Sequence, residues 1–174
     1  GGAGGLRRSR AAPPGSADPG GPPRRPPTGV RFVLPGPAYA VPDRAPLEVL
    51  NALFGGAFTS RLNLNLRERH GYTYGVGSAF QMMKRDGCFV AAGSVQTEVT
   101  GKALQEFLAE FGAIRKGGIR AEELAPALAA LRAYPVQAFQ TLEGALEAYL
   151  PLALHDRAPQ ALRDDLRRLD AVDA

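Results

Sequence analysis

The two histidines of the chain, His70 and His155, are the first residues to test for metal chemistry. Neither belongs to an H-E-x-x-H motif or to the inverted H-x-x-E-H motif, in which two histidines on one helix face bind zinc. His155 is followed by Asp156, which favours a solvated helix end. The single cysteine, Cys88, excludes an internal disulfide and a multi-cysteine metal site. We therefore expect no metal site in this chain.

Motifs for nucleophilic catalysis and phosphate binding are also missing from the sequence. There is no G-x-S-x-G and no P-loop. The run Gly75-Val76-Gly77-Ser78 lies inside an expected strand, not at a turn from a strand into a helix, so it is no dinucleotide fingerprint. No apolar stretch is long enough for a transmembrane helix. The sequence predicts no self-contained active site.

Residues 53–75, LFGGAFTSRLNLNLRERHGYTYG, have a much more specific pattern. A Gly-Gly pair precedes a Phe-Thr-Ser-Arg-Leu helix start, and a Leu-Arg-Glu run leads to Gly-x-x-Tyr. The segment closely resembles the C-terminal homologous domain of the pitrilysin/insulinase family of zinc metallopeptidases, particularly bacterial members similar to mitochondrial processing peptidase. Residues 92–100 and 121–124 look like the family's second strand and later helix starts. The resemblance covers about residues 30–174.

Peptidases of this family consist of two similar halves that close around an extended peptide. The N-terminal half carries H-x-x-E-H and binds zinc, whereas the C-terminal half lacks zinc ligands and directs an arginine and a tyrosine, seven positions apart, at the substrate. The resemblance implies that this chain is the substrate-side half, with Arg67 and Tyr74 as its pair. It also implies a zinc-bearing partner half and an extended peptide substrate, with no cofactor in this chain.

Arg67 and Tyr74 have side chains suited to that role. Peptide hydrolysis places negative charge on the scissile carbonyl oxygen, and a guanidinium and a phenol O–H both donate hydrogen bonds. Without the surrounding motif, the pair would read as a helix-surface arginine and a half-buried strand tyrosine. Tyr72 and Arg61 are weaker candidates for substrate binding. Tyr72 shares the sheet face of Tyr74 if the strand has begun there, and Arg61, at a helix start, suits structural contacts better.

The elements that position these residues follow the order strand, two helices, strand hairpin and further helices. Expected strands are 30–34, 72–80 and 88–95; expected helices are 47–54, 60–70, 100–116, 122–139, 141–154 and 159–169. This order predicts an α+β fold, an antiparallel sheet covered by helices on one face, as in a metallohydrolase-like half of the family. Relatives carry about ten more residues and a second strand before the first helix. We therefore expect a narrower sheet with an unpaired edge.

Residues 1–28 differ in composition from the rest of the chain. They contain seven glycines and seven prolines, which predicts a disordered linker, and we expect a single domain over residues 29–174. The tail has five arginines and one aspartate, which account for the whole net charge of +4. Because the remaining body carries no net charge, the sequence argues against a nucleic-acid-binding function.

Three classes of function remain for comparison. The leading hypothesis is the zinc-less, substrate-binding half of a metalloendopeptidase. The alternative is a non-catalytic structural or interaction subunit of the same fold. The third class, a nucleic-acid or membrane-surface binder that uses the arginine tail, is disfavoured by the neutral body. No signal-peptide pattern is visible, and the compartment stays open between bacterial periplasm and cytoplasm.

Overall fold

Three antiparallel strands form the only sheet within residues 25–172, the part of the chain that the computed structural model describes. They are β1 (Thr28–Gly36), β2 (Thr73–Met82) and β3 (Gly87–Val95), with β3 in the centre. A tight turn over residues 83–86 joins β2 to β3, and in it the Met83 N–H donates to the Asp86 carbonyl at 2.8 Å. Most of the expected linker, residues 1–24, lies outside the described range.

The helices account for most of the remaining described chain. They are α1 (Arg44–Asn51), α2 (Thr100–Arg115), α3 (Ala121–Ala138), α4 (Leu142–Leu154) and α5 (Ala161–Asp170). Two short segments have the wider π-helical turn: the first π segment, Ala52–Gly56, and the second π segment, Asn63–Arg69. A single 3-10 turn, Thr97–Val99, precedes α2. No helix of residues 25–172 is long and apolar enough to cross a bilayer.

One face of the sheet carries the main core. Alternate residues of each strand point to this face, where α2 and the two π segments cover them. Phe32 of β1 packs against Phe107 of α2, with ring centroids 5.1 Å apart. The buried members of this core are Val30, Phe54, Leu62, Leu66, Val76, Phe89, Ala91, Val95, Ala103 and Phe107. The expected α+β class, with helices on one side of an antiparallel sheet, is confirmed.

A second core lies between helices, away from the sheet. It joins α1 and the first π segment to α3 and α5 through Ala45, Val49, Ala52, Leu53, Ala127, Leu128 and Leu169. Helix α3 runs through Pro126 and Pro135 to Ala138. The helix predicted to begin near residue 60 begins at Arg61 and widens into the second π segment.

In the described range, 25–172, the sheet has one strand before α1, as the shortened N-terminal region predicts. Within the described residues, β1 pairs only with β3 and β2 pairs only with β3, so both are edge strands. The register shifts between Thr73 and Val76, which marks an irregularity at the start of β2. Tyr74 lies within this irregular stretch, so simple strand alternation does not fix its direction.

The Gly-Gly pair of the motif lies in the first π segment, against β2. A Cβ added at Gly55 would lie 2.6 Å from Ser78 Oγ and 2.8 Å from the Ser78 backbone nitrogen. The Ser78 hydroxyl donates to Asn51 Oδ1 at 2.7 Å, so it is already held in place. Glycine at position 55 is therefore what allows the π segment to approach β2 so closely.

We expect Gly55→Ala to destabilise the domain, because the new methyl group would meet a strand backbone that cannot move away cheaply. Overpacking of this kind costs about 1–3 kcal/mol in the free energy of unfolding. The matched control is Gly101→Ala in the first turn of α2, where an added Cβ meets nothing within 4 Å. The control should leave stability unchanged or raise it. Urea unfolding followed by circular dichroism measures both, and equal midpoints for the two variants would contradict the packing role of Gly55.

Candidate functional site

The Asn63 amide joins the three pieces of chain that surround the candidate site. Its Nδ2 donates to the Val76 carbonyl at 2.9 Å and to the Ala57 carbonyl at 3.1 Å. Its Oδ1 accepts from the Val76 N–H at 3.1 Å. The buried Asn63 side chain thus connects the second π segment, β2 and the loop over residues 57–60. These bonds fix the helix end that carries Arg67 relative to the strand start that carries Tyr74.

Arg67 lies four residues after Asn63, in the second π segment. Its guanidinium Cζ lies over the Phe58 ring, 4.0 Å from the ring centroid. The nearest carboxylate is that of the next residue, Glu68, at 3.5 Å. The Arg67 side chain is 30% exposed. Among the hydrogen bonds within residues 25–172, none is donated by this guanidinium, so its N–H groups remain available to a ligand.

Tyr74 and Tyr72 occupy different environments. Tyr74 is 96% exposed. Tyr72 precedes the first residue of β2, packs partly buried against the main core and stacks on His70 with ring centroids 4.8 Å apart. Tyr72 would share the sheet face of Tyr74 only if the strand had already begun at residue 72. It begins at Thr73, so this condition is not met. Gly71, with φ of 62°, makes the reversal between the second π segment and β2.

Arg61 makes structural contacts. Its Nε donates to Glu123 Oε1 at 2.9 Å, and its Nη2 donates to Glu123 Oε2 and to the Gly118 carbonyl. The side chain is only 12% exposed. These bonds attach the helix that begins at Arg61 to the start of α3, and they use several of the guanidinium N–H groups. Arg61 therefore has less to offer a substrate than Arg67.

The described histidines do not form a zinc site. Residues 25–172 contain no group of three or more His, Cys, Asp or Glu side chains arranged to hold a metal ion. His70 Nε2 lies 3.8 Å from one carboxylate, that of Glu106. His155 stacks on Tyr39 with ring centroids 3.7 Å apart. The donor set of this part of the chain does not fit a zinc ion.

Asn63 and Phe58 are residues of the site that the sequence interpretation did not single out. A signal for Asn63 exists in the alternation of leucine and asparagine over residues 62–66. Leu62 and Leu66 are fully buried, four positions apart, whereas Leu64 is 52% exposed. Asn63 shares the buried side of this helix, where an amide must find hydrogen-bond partners. Phe58 gave no comparable signal, because its contact with Arg67 depends on how the loop folds.

The ion pair between Arg61 and Glu123 makes stability depend on pH. Hydrogen bonding to Arg61 lowers the pKa of the Glu123 carboxyl from 4.5 to about 2. Because the folded-state pKa is the lower one, the stabilisation is complete above about pH 4.5 and is lost as the pH falls towards 2. We expect Glu123→Gln to be less stable near pH 7 and to lose less stability on acidification than the wild type. Urea midpoints across this range measure the difference.

The control for this measurement is Glu122→Gln, since Glu122 is exposed and precedes Glu123 in the first turn of α3. It should keep the acid sensitivity of the wild type. Parallel pH profiles for Glu123→Gln and the wild type would contradict the role of this ion pair.

Known protein families and structures provide an independent comparison. The sequence model of the peptidase M16 inactive domain matches residues 13–131. A search of curated proteins finds no match.

Several solved structures share the fold. A peptidase M16 inactive domain from Pseudomonas fluorescens is 24% identical with a TM-score of 0.72, over 83% of this chain and 35% of that chain. A protease from Helicobacter pylori is 18% identical with a TM-score of 0.75, over 83% and 35%. The inactive peptidase domain of a candidate zinc protease from Bordetella parapertussis is 18% identical with a TM-score of 0.67, over 86% and 82%.

The chain therefore spans about a third of the length of the first two proteins and most of the third. At these identities the structures show a common fold. The family model covers well over half of the chain and includes the whole of the 53–75 segment. The resemblance of that segment is confirmed, and the chain belongs to the family of peptidase M16 inactive domains.

Proposed function

We propose that this chain is the substrate-side half of a pitrilysin/insulinase-type metalloendopeptidase, of the bacterial type similar to mitochondrial processing peptidase. Arg67 and Tyr74 are its contacts with the bound peptide. Family membership supports the inactive-domain part of this proposal. The observation that carries the site is the contrast between two arginines of one motif. Arg61 donates its N–H groups to Glu123, whereas the Arg67 guanidinium lies over the Phe58 ring and donates no hydrogen bond within residues 25–172. Tyr74, seven positions further along, is exposed.

The chemistry of the pair follows from what each group can donate. The Arg67 guanidinium supplies a permanent positive charge and N–H donors in one plane, which suit carbonyl and developing oxyanion oxygens. The Tyr74 phenol supplies a neutral O–H donor. Zinc, held by the partner half, would supply the Lewis acid and the activated water. The part of this chain is to bind and orient the peptide and to stabilise negative charge near the scissile bond.

The alternative function, a non-catalytic interaction subunit of the same fold, is consistent with the exposed apolar side chains of two helices. Helices α3 and α4 leave several large apolar side chains exposed, including Tyr134, Val136, Leu142 and Leu146. Exposed apolar side chains are typical of surfaces that meet another protein where they form a contiguous patch. Such a surface fits a subunit of either kind, so the Arg67 and Tyr74 variants decide between the two functions.

We expect the isolated chain to bind no zinc stoichiometrically and to cleave no peptide. The reason is the lack of a suitable ligand cluster around His70 or His155 in the described residues. Metal analysis after dialysis against zinc-buffered solution, together with an assay on a quenched fluorescent peptide library, measures both properties. About one tightly bound zinc per chain would contradict this expectation.

Paired with a zinc-bearing half, Arg67→Ala and Tyr74→Phe should lower turnover and leave the domain folded. Loss of one donor to a developing oxyanion typically lowers kcat on the order of 10²–10³-fold. Tyr74→Phe should have the smaller effect, because it removes a neutral hydrogen bond and not a charge-assisted one. Arg67→Lys should restore only part of the activity, since an ammonium cannot present a planar set of donors. Steady-state kinetics with a fluorescent peptide measures each variant.

Matched controls are Arg69→Ala, an exposed arginine of the same π segment, and Tyr134→Phe, an exposed tyrosine of α3. Both should keep turnover near the wild-type value. If Arg67→Ala and Tyr74→Phe also keep it, the substrate-side role is wrong, and the interaction-subunit function takes its place.

A further inference from the structure

Three arginines lie over aromatic rings in the described part of the chain, and one of them differs from the other two. Arg44 lies over Tyr39 and also bonds to Glu48 and Asp165. Arg157 lies over the same ring and bonds to both carboxylate oxygens of Asp165, at 2.7 and 2.8 Å. In both cases buried or half-buried carboxylates neutralise the charge, so these contacts belong to the packing of α1 and α5.

Arg67 is held in another way. Its Cζ lies 4.0 Å from the Phe58 ring centroid, closer than in the other two pairs. Within residues 25–172, the one carboxylate within 4.0 Å of it is that of Glu68, which is 53% exposed and lies at 3.5 Å. Phe58 itself is 65% exposed. A large apolar ring left in solvent contributes little by burial, and the Phe58 ring lies against the cation of the candidate site.

A ring and a carboxylate restrain an arginine with different consequences. A carboxylate takes up N–H donors and cancels the charge, whereas the face of a ring attracts the cation and uses none of the in-plane N–H groups. We propose that Phe58 is a positioning residue for Arg67, whose ring holds the guanidinium in place while leaving its charge and donors available for the peptide. This inference rests on the proposed function of Arg67.

The loop that presents Phe58 is anchored independently of the ring. The Ala57 carbonyl, next to Phe58, accepts from Asn63 Nδ2 at 3.1 Å and from the Ser60 N–H at 3.1 Å. The Ser60 carbonyl accepts from the Leu64 N–H at 2.9 Å. Because backbone bonds and the Asn63 amide hold the loop, replacement of the Phe58 side chain should leave the loop and the domain in place.

The kinetic test uses Phe58→Leu and Phe58→Trp in the complex with the zinc-bearing half. Phe58→Leu should lower kcat by about 2- to 5-fold and leave KM nearly unchanged. This factor corresponds to the free energy of an exposed cation–π contact. Phe58→Trp keeps an aromatic face and should retain the wild-type kcat. Phe139→Leu, which removes an exposed ring immediately after the end of α3, is the control and should keep wild-type kinetics. A rise in KM with unchanged kcat would overturn the inference, because it would mean that Phe58 contacts the substrate itself.

A double variant shows whether Phe58 acts through Arg67. In the Arg67→Ala background, Phe58→Leu should cause no further loss of kcat, since the group that it positions is gone. An equal loss in both backgrounds would overturn the inference and leave the role of Arg67 standing. Wild-type turnover of Arg67→Ala itself would instead refute the proposed function, and the inference with it.

Nuclear magnetic resonance of the full chain tests the contact without any activity. The Arg67 side-chain protons should be shifted upfield by the ring current of Phe58. Phe58→Leu should abolish this shift, Phe58→Trp should keep it, and the Arg69 protons should not respond. An Arg67 spectrum that is the same in the wild type and Phe58→Leu would overturn the inference, whatever the kinetics show.

Discussion

The hydrogen bonds of one buried amide, Asn63, determine how the candidate site is put together. A single side chain meets the carbonyl of the Ala57 loop and both backbone groups of Val76 on β2. Each buried backbone group left without a partner would cost roughly 1–3 kcal/mol, so the three segments stay together. Arg67, Tyr74 and Phe58 each lie a few residues from one of these bonds. The exposed side chains of the site therefore depend on a buried polar contact, which holds together the segments that carry them.

The sequence was sufficient for the class of fold and for the family. Apolar periodicity placed all three strands and the helices near their observed positions, because each element buries one side. The 53–75 segment identified the family, and close packing explains part of its pattern, as the contact of Gly55 with Ser78 and the full burial of Leu62 show. The π-helical widening was not predictable, because periodicity does not distinguish a turn of 3.6 residues from a slightly wider one. The environments of Phe58 and Asn63 were also not predictable from the sequence, because tertiary contacts determine them.

Arg61 and Arg67 show how two similar residues in one short motif come to differ. Both are helical arginines six positions apart, and their composition and spacing are consistent with either role. What separates them is the partner that the rest of the fold supplies. Helix α3 brings Glu123 within hydrogen-bond distance of Arg61. The loop after the first π segment places the Phe58 ring against Arg67, and the neighbouring Glu68 carboxylate stays 3.5 Å away and exposed. A carboxylate that accepts the N–H groups of an arginine makes the side chain a structural contact. A neutral ring holds the guanidinium but leaves its charge and N–H donors available to a ligand.

The bonds between Asn63 and Val76 also limit how a peptide can meet this sheet. Both backbone groups of Val76 are already satisfied by a side chain, at the point where an incoming strand would need them. β-Augmentation of β2 beside Tyr74 is therefore blocked. At this part of β2, a ligand near Tyr74 is bound through side-chain contacts, which recognise local charge and shape, and not through backbone hydrogen bonds to Val76. A main-chain ladder that holds an extended ligand in register must therefore come from a strand edge other than this part of β2.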